Sequence, residues 1–344
     1  MTQAKPQTMW SWSGALSAPA AAPPRGLAVA APALHTLRGA TMGTAWSVKL
    51  VASSAALSEL ERGIQACLDR VVAQMSTWEA ASDISRYNRA EAGSLHTLPA
   101  EFAQVLASAL ALAADTDGAY DPSVGTLTDL WGFGPAGAHA QAPEAASLAQ
   151  ARTCVDWRRL RFEPAQRRLL QPGGAYLDLS SIAKGYGVDC VADWLLAQGI
   201  ADCLVEVGGE LRAHGRKPDG TAWRVAVEQP GGGEDEAAAV IALDGLSIAT
   251  SGDYRRYFDA DRRYSHTLDP RSGAPIDNAV ASVTVLHPQC MHADALATAL
   301  TVLGAHAGMA YANRRDIAAL FVLREGEALV ARATPGFVAR QRRV

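Results

Sequence analysis

From Cys203 onward the chain is cut into short apolar or alternating runs, "CLVEV", "ELRAHG", "WRVAVEQ", "VIALDGLSIAT" and "YSHTLD", separated by Gly and Asp-Gly turn signals. Side chains alternate faces along a strand, and short Gly-containing turns join antiparallel neighbours, so this half reads as a mainly antiparallel sheet. "ASVTVLH" adds another strand, "CMHADALATALTVLG" a helix, and "IAALFVLREGEALVA" a terminal hairpin. Long runs of strands interrupted by a few helices predict an α+β fold and argue against a doubly wound sheet.

Upstream, the folded body is expected to begin at Arg38, where "ATMGTAWSVKLV" has strand content. "LSELERGIQACLDRVVAQM" then places Leu57, Leu60, Ile64, Leu68 and Met75 at three- and four-residue spacing, the pattern of an amphipathic helix. A loop, "STWEAASDISRYNRAEAG", and a helix over 101–114 follow. In the Gly-, Pro- and Asp-rich "DTDGAYDPSVGTLTDLWGFGP", Trp131 and Phe133 mark an ordered or ligand-binding loop. "AGAHAQAPEAASLAQ" offers a short surface helix, and strands are expected near 160–162 and 168–170. "LDLSSIAKGYGVDCVADWL" should run into a helix capped by Ser180 or Ser181 and stopped at Gly199.

With 344 residues, 49% of them hydrophobic and 19% charged, the chain can bury one large or two moderate cores. The net charge of −4 and the absence of long basic tracts exclude nucleic acid as an expected partner; the Arg255–Arg256 pair reads as solvated surface. Five cysteines without a C-x-x-C pair read as mostly buried thiols and offer no zinc or redox motif. No run approaches the roughly 20 apolar residues of a membrane-spanning helix, so none is expected. Residues 1–37, rich in Ala and Pro, read as a flexible leader ahead of a domain over 38–344. A degenerate export signal is the minor alternative, because Ser, Gly and Pro interrupt the apolar core such a signal requires.

The stretch around "SSIAKGYG" fits neither a P-loop nor a dinucleotide fingerprint. What remains is a helix start preceded by Asp178 and carrying Lys184, a place that attracts phosphate or simply caps a helix. Four apart in "HADALATAL", Asp294 and Thr298 share a helical face. They read either as oxygen ligands for a hard cation such as Mg²⁺ or as an exposed acid and a helical threonine. His266, strand-like and just ahead of the Asp269-Pro270 turn, reads as a base for a hydroxyl proton or as a half-buried structural histidine. Met42, Trp78 and Tyr120 could supply flat apolar walls for an isoalloxazine or adenine ring, although each alone reads as core.

Taken together, "MGTAWSVKL", "MSTWEAASDISRYN", "GAYDPSVGTLTDLWGFGP", "LDLSSIAKGYGVD", "LVEVGGELRAHG", "IATSGDYRRYF", "YSHTLDPRSGAPID" and "ASVTVLHPQCMHADALATAL" resemble, in order, the ApbE family, the FAD:protein FMN transferases. The resemblance implies a two-lobed α+β fold with FAD in the cleft between the lobes. It carries flavin-nucleotide contacts onto Met42, Trp78, Ala119, Tyr120, Asp121, Asp178, Lys184 and Leu268. It places Mg²⁺ ligands at Ser181, Asp294, Ala297 and Thr298, Ser181 and Ala297 through main-chain oxygens, and a base at His266. The implied reaction is Mg²⁺-dependent transfer of the FMN moiety of FAD to a threonine hydroxyl on a protein carrying a Ser/Thr acceptor motif, with release of AMP. Two other readings are a metal-dependent FAD pyrophosphatase and a flavin carrier, the latter having no need of the Asp-x-x-x-Thr pair. Members of the family are usually exported, often as lipoproteins, whereas here neither a Cys nor a clean signal precedes Cys67, which leaves a cytoplasmic location open as well.

Overall fold

The computed structural model describes residues 31–139, 141–228, 237–252 and 265–341. Residues 1–30 of the leader and the Arg255–Arg256 pair lie outside the described residues. Eight strands form one sheet in the order Ala33–Thr41, Thr44–Ala52, Cys203–Val207, Glu210–His214, Ser247–Gly252, Val280–His287, Ala318–Glu325 and Ala328–Ala333. All neighbours are antiparallel, as the turn-punctuated sequence implied. The first strand opens at Ala33 rather than Arg38, because its ladder is continuous from Ala33 opposite Ala52 to Thr41 opposite Thr44.

Alternation decides what covers each face. Trp46, Val48 and Leu50 point one way from their strand and pack, with Val205, against Ile64 and Leu68 of helix Leu57–Met75 and Val191 and Leu195 of helix Ala183–Ala197. Further along the same sheet, Val283, Val285 and Phe321 meet Ala293, Ala297 and Leu300 of helix Cys290–Arg314. Each such fully buried Val, Leu or Phe contributes about 1.5–3 kcal/mol relative to exposure. Over the central strands the opposite face carries an antiparallel hairpin, Trp223–Glu228 with Ala237–Leu243. Its Trp223, Ile241 and Leu243 pack on Leu204, Ala213, Ile248 and Leu286, and Phe337 of the terminal helix Pro335–Gln341 completes the cluster.

A further core lies between helix Ala100–Asp115 and a three-stranded sheet ordered Leu95–Thr97, Arg168–Leu170, Arg161–Glu163. The loop expected after Met75 holds a short helix, Asp83–Asn88, whose start is capped by Ser82 accepting from Ser85 N at 3.1 Å. "YSHTLD" contributes far less strand than expected, since only Leu268–Asp269 pairs, with Ala274–Pro275, and His266 sits in a bend.

Helix Cys290–Arg314 is longer than its sequence pattern indicated, and by length and composition it could cross a bilayer, contrary to expectation. Yet 56% of its most apolar window is buried inside the protein, as for a core helix. It is broken at Gly304, whose φ of 78° and ψ of 178° no helix contains, and Asn278 Nδ2 donates to the Thr301 carbonyl there at 3.1 Å. At its start, the Asp189 carboxylate accepts from Cys290 N and Met291 N, both at 2.9 Å, and pairs with Arg212 at 2.9 Å. The beginning of the helix is thereby fixed against helix Ala183–Ala197.

Candidate functional site

Two tight hairpins end side by side at the mouth of a cavity of about 1040 Å³. In one, Met42 and Gly43 have φ of 49° and 70°; in the other, Gly208 and Gly209 have 61° and 104°. Both central residues are left-handed, the turn that suits the twist of two strands. A non-glycine residue held there costs on the order of 1–3 kcal/mol, and Met42 carries that strain while its thioether stands at the cavity and packs against two cores. Gly208 is required for closeness: its N–H donates to the Ala45 carbonyl at 3.1 Å, and a Cβ on it would come within 2.9 Å of the Thr44 methyl.

The floor is charged and interlocked. Lys184 Nζ lies 2.7 Å from Glu210 Oε1 and 3.7 Å from Asp294 Oδ1. Burial alone would depress the Lys184 ammonium, but Asp294 and Glu210 outweigh it and hold it above the ordinary lysine value. Burial lifts the Glu210 carboxyl to about 7, against the pull of Lys184 and with Asp294 adding to the rise. The second oxygen of Glu210 is buried without a hydrogen-bond partner among the described residues, and the residue faces the cavity.

Asp294 is only 6% exposed, which corrects the expectation of a carboxylate on an exposed helical face. Its Oδ2 accepts from Gly185 N at 3.0 Å, a bond that exists because Gly185 lets the two helices touch. A Cβ on Gly185 would lie 2.4 Å from the Cys290 carbonyl oxygen. Thr298, one turn after Asp294, also lines the cavity and is half-buried. The cap expected from Ser180 or Ser181 is absent: the helix opens at Ala183 behind Ile182, with no side-chain cap. Ser180 N instead donates to Asp178 Oδ1 at 2.9 Å, and the first-turn amides of Ala183 and Gly185 bond Leu179 O and Asp294. Lys184 and the approaching carboxylates, not bare helix amides, give this stretch its charge.

Of the residues singled out from sequence, Met42, Trp78, Ala119, Tyr120, Asp121, Asp178, Ser181, Lys184, His266, Leu268, Asp294 and Thr298 all line this one cavity. Tyr120 is buried and accepts from Ser181 Oγ at 3.1 Å; burial pushes its phenol well above the usual range. Asp121 is committed to its own loop, accepting from Ser123 N, Ser123 Oγ and Trp157 N at 2.8, 2.7 and 3.0 Å. Trp78 is 63% exposed at the rim. His266 is half-buried, its ring edge-on to Phe133 with centroids 6.3 Å apart. Ala297 faces the sheet-side core, 1% exposed, and its carbonyl accepts from Thr301 Oγ1 at 2.8 Å.

Among the described residues no three His, Cys, Asp or Glu side chains group as a metal centre. The oxygen set around Asp294 is of a different kind, one buried carboxylate with the hydroxyls of Thr298 and Ser181 along the same wall. Two carboxylates face one ammonium, and one Glu210 oxygen has no hydrogen-bond partner among the described residues. A hard cation suits such donors. Glu210 and Glu206 were missed in the sequence, where "EVGGE" reads as an ordinary Gly-Gly hairpin; the available signal was an acid directly flanking a turn whose glycines bring backbone close to a neighbour.

The sequence matches the profile described as the ApbE family over residues 42–321. It is 40% identical over 304 residues to the FAD:protein FMN transferase of Vibrio cholerae, covering 88% of this chain and 91% of that one. To the FAD:protein FMN transferase of Haemophilus influenzae it is 37% identical, with 88% and 90% covered. The apo flavinyl transferase ApbE of Pseudomonas stutzeri superposes with a TM-score of 0.83 at 42% identity, over 90% of this chain and 97% of that one. With this match spanning most of the chain, and with the fold alike, the protein belongs to the ApbE family.

Proposed function

We propose that the chain is an FAD:protein FMN transferase, with the chain from Ala33 onward as the catalytic unit. The observation that carries the reading is the convergence, in one cavity of about 1040 Å³, of apolar walls at Met42 and Tyr120 with the charged Lys184–Glu210–Asp294 floor. An asymmetric molecule with a flat ring at one end and a pyrophosphate in its middle suits such a cavity. The names of the relatives support the same reading.

Met42, Trp78, Ala119, Tyr120 and Leu268 would line the flavin nucleotide, with Asp121 and Asp178 shaping the loops around it and Lys184 approaching the phosphates. Asp294, Thr298, Ser181 and the Ala297 carbonyl would hold Mg²⁺, which when bound neutralises pyrophosphate charge. His266 would accept the proton of the acceptor threonine hydroxyl. The oxygen so freed bonds to the FMN-side phosphorus as that phosphorus releases the bridging oxygen, and AMP leaves with it. The fixed groups contribute alignment and charge, while the acceptor protein brings the nucleophile.

The test is incubation with FAD, Mg²⁺ and a candidate acceptor carrying a Ser/Thr motif, followed by in-gel flavin fluorescence after denaturation and quantification of AMP. Covalent fluorescence with equimolar AMP is the expected result. FMN and AMP without labelled protein would assign the pyrophosphatase reaction instead, in which water takes the place of the hydroxyl.

A further inference from the structure

Beside the main cavity lies a second, of about 490 Å³, on the sheet face away from the helices that pack on Trp46, Val48 and Leu50. The strand register builds its floor: Arg38 stands opposite Ser47, Ser47 opposite Glu206, and Glu206 opposite Leu211, one row across four strands. Lys49 lies two residues along from Ser47 on the same face, and Arg224 reaches in from the Trp223–Glu228 hairpin.

Arg38, Lys49 and Arg224 are exposed, and among the described residues none of them has an ion-pair partner. Other cations are committed, Arg70 to Glu101, Arg212 to Asp189 and Arg271 to Asp269, so what marks this cleft is that three uncommitted ones line it together. The one acid in this cleft, Glu206, accepts a 2.6 Å hydrogen bond from Ser47 Oγ. In a chain of net charge −4, three unpaired cations around one small cleft are a local feature and not a general basicity. The two cavities adjoin, and Glu206, Leu211, Val225 and Ala226 line both.

We propose that this cleft docks an acidic segment of the protein acceptor, from which the hydroxyl-bearing residue passes Glu206 into the main cavity. The inference rests on the transferase reading, since only a macromolecular nucleophile needs a surface outside the flavin site. Charge complementarity at an open rim mainly speeds and orders encounter, which is what a transferase acting on a folded or flexible partner requires.

The experiment uses the full chain saturated with FAD, so that the main cavity is filled. Fluorescein-labelled peptides with a central alanine flanked by aspartate, asparagine or lysine are titrated by anisotropy at low and high salt. The aspartate peptide is expected to bind at least about tenfold tighter than the asparagine peptide, with the preference lost in high salt. An Arg38→Glu/Arg224→Glu variant should lose that preference and keep wild-type FAD affinity; Arg38→Gln/Arg224→Gln gives a milder version should the reversal fold poorly. Equal binding of the aspartate and asparagine peptides, unaltered binding by both variants, or equally tight binding of a short single-stranded DNA would overturn the dock. Flavin transfer to a candidate acceptor is scored separately on wild type. Transfer without charge-dependent peptide binding removes the dock alone. Charge-dependent binding with no transfer to any acceptor removes the transferase reading and leaves the anionic-peptide site standing.

Discussion

The floor and the rim of the main cavity are built in opposite ways. At the floor, Glu210 and Asp294 keep 4% and 6% of their surface and share Lys184 between them; at the rim, Trp78 keeps 63% and His266 is half-buried in a bend. Charged groups taken out of water must hold one another, so each floor residue serves packing and chemistry at once. Rim residues have water as their alternative partner. Function can therefore be separated from folding at the rim, and cannot be at the floor.

Asp294→Ala should have the largest effect and should strike both properties. Transfer is expected to vanish, and stability to fall by about 1–3 kcal/mol as Gly185 N–H loses its acceptor inside the helix contact. Activity assays beside chemical denaturation check this; loss of activity at unchanged stability would break the contrast between floor and rim. For His266→Ala, transfer should slow by roughly 10²–10⁴ while melting temperature and FAD affinity hold, as befits a base at the rim. A parallel drop in stability would move His266 to the structural side.

Trp78→Ala should weaken FAD binding by about 1 kcal/mol, since the ring adds stacking area without supporting the core. Fluorescence titration measures it, and unchanged affinity would take Trp78 out of the site. The smallest effect concerns pH. Glu210 titrates near 4.5 unfolded and is lifted to about 7 by burial, so between these values the folded chain holds the extra proton. Its contribution to stability is therefore complete below about pH 4.5 and fades as pH rises through about 7. In melting curves across that window Glu210→Gln should flatten the decline; a slope identical to wild type would mean Glu210 stays ionised beside Lys184.

Much of this was legible in the chain because period and punctuation are local properties. Val283, Val285 and the turn glycines announce strands wherever they pack. The motifs converged on one cavity because a histidine, a metal-type pair and aromatic walls are recognisable by residue type. Burial was not legible. Asp294 looks like a surface acid in "HADALATAL", and only the Gly185 contact, made across 109 positions of sequence, takes it inside. The missing serine cap has a similar cause, since the Leu179 carbonyl takes the Ile182 and Ala183 amides that a capping hydroxyl would have taken. Glu210 escaped notice because the partners of a buried acid lie on distant elements, in this case Lys184 on a helix.

Met42 touches both the core beneath the first strands and the core beside Tyr120, from a turn that its own backbone resists. It packs on the edge of both hydrophobic clusters, and a flavin resting against its thioether would stiffen both together. Calorimetry of the folded body should accordingly record one heat-absorption peak that FAD displaces upward as a whole, with no shoulder left behind at the ligand-free temperature.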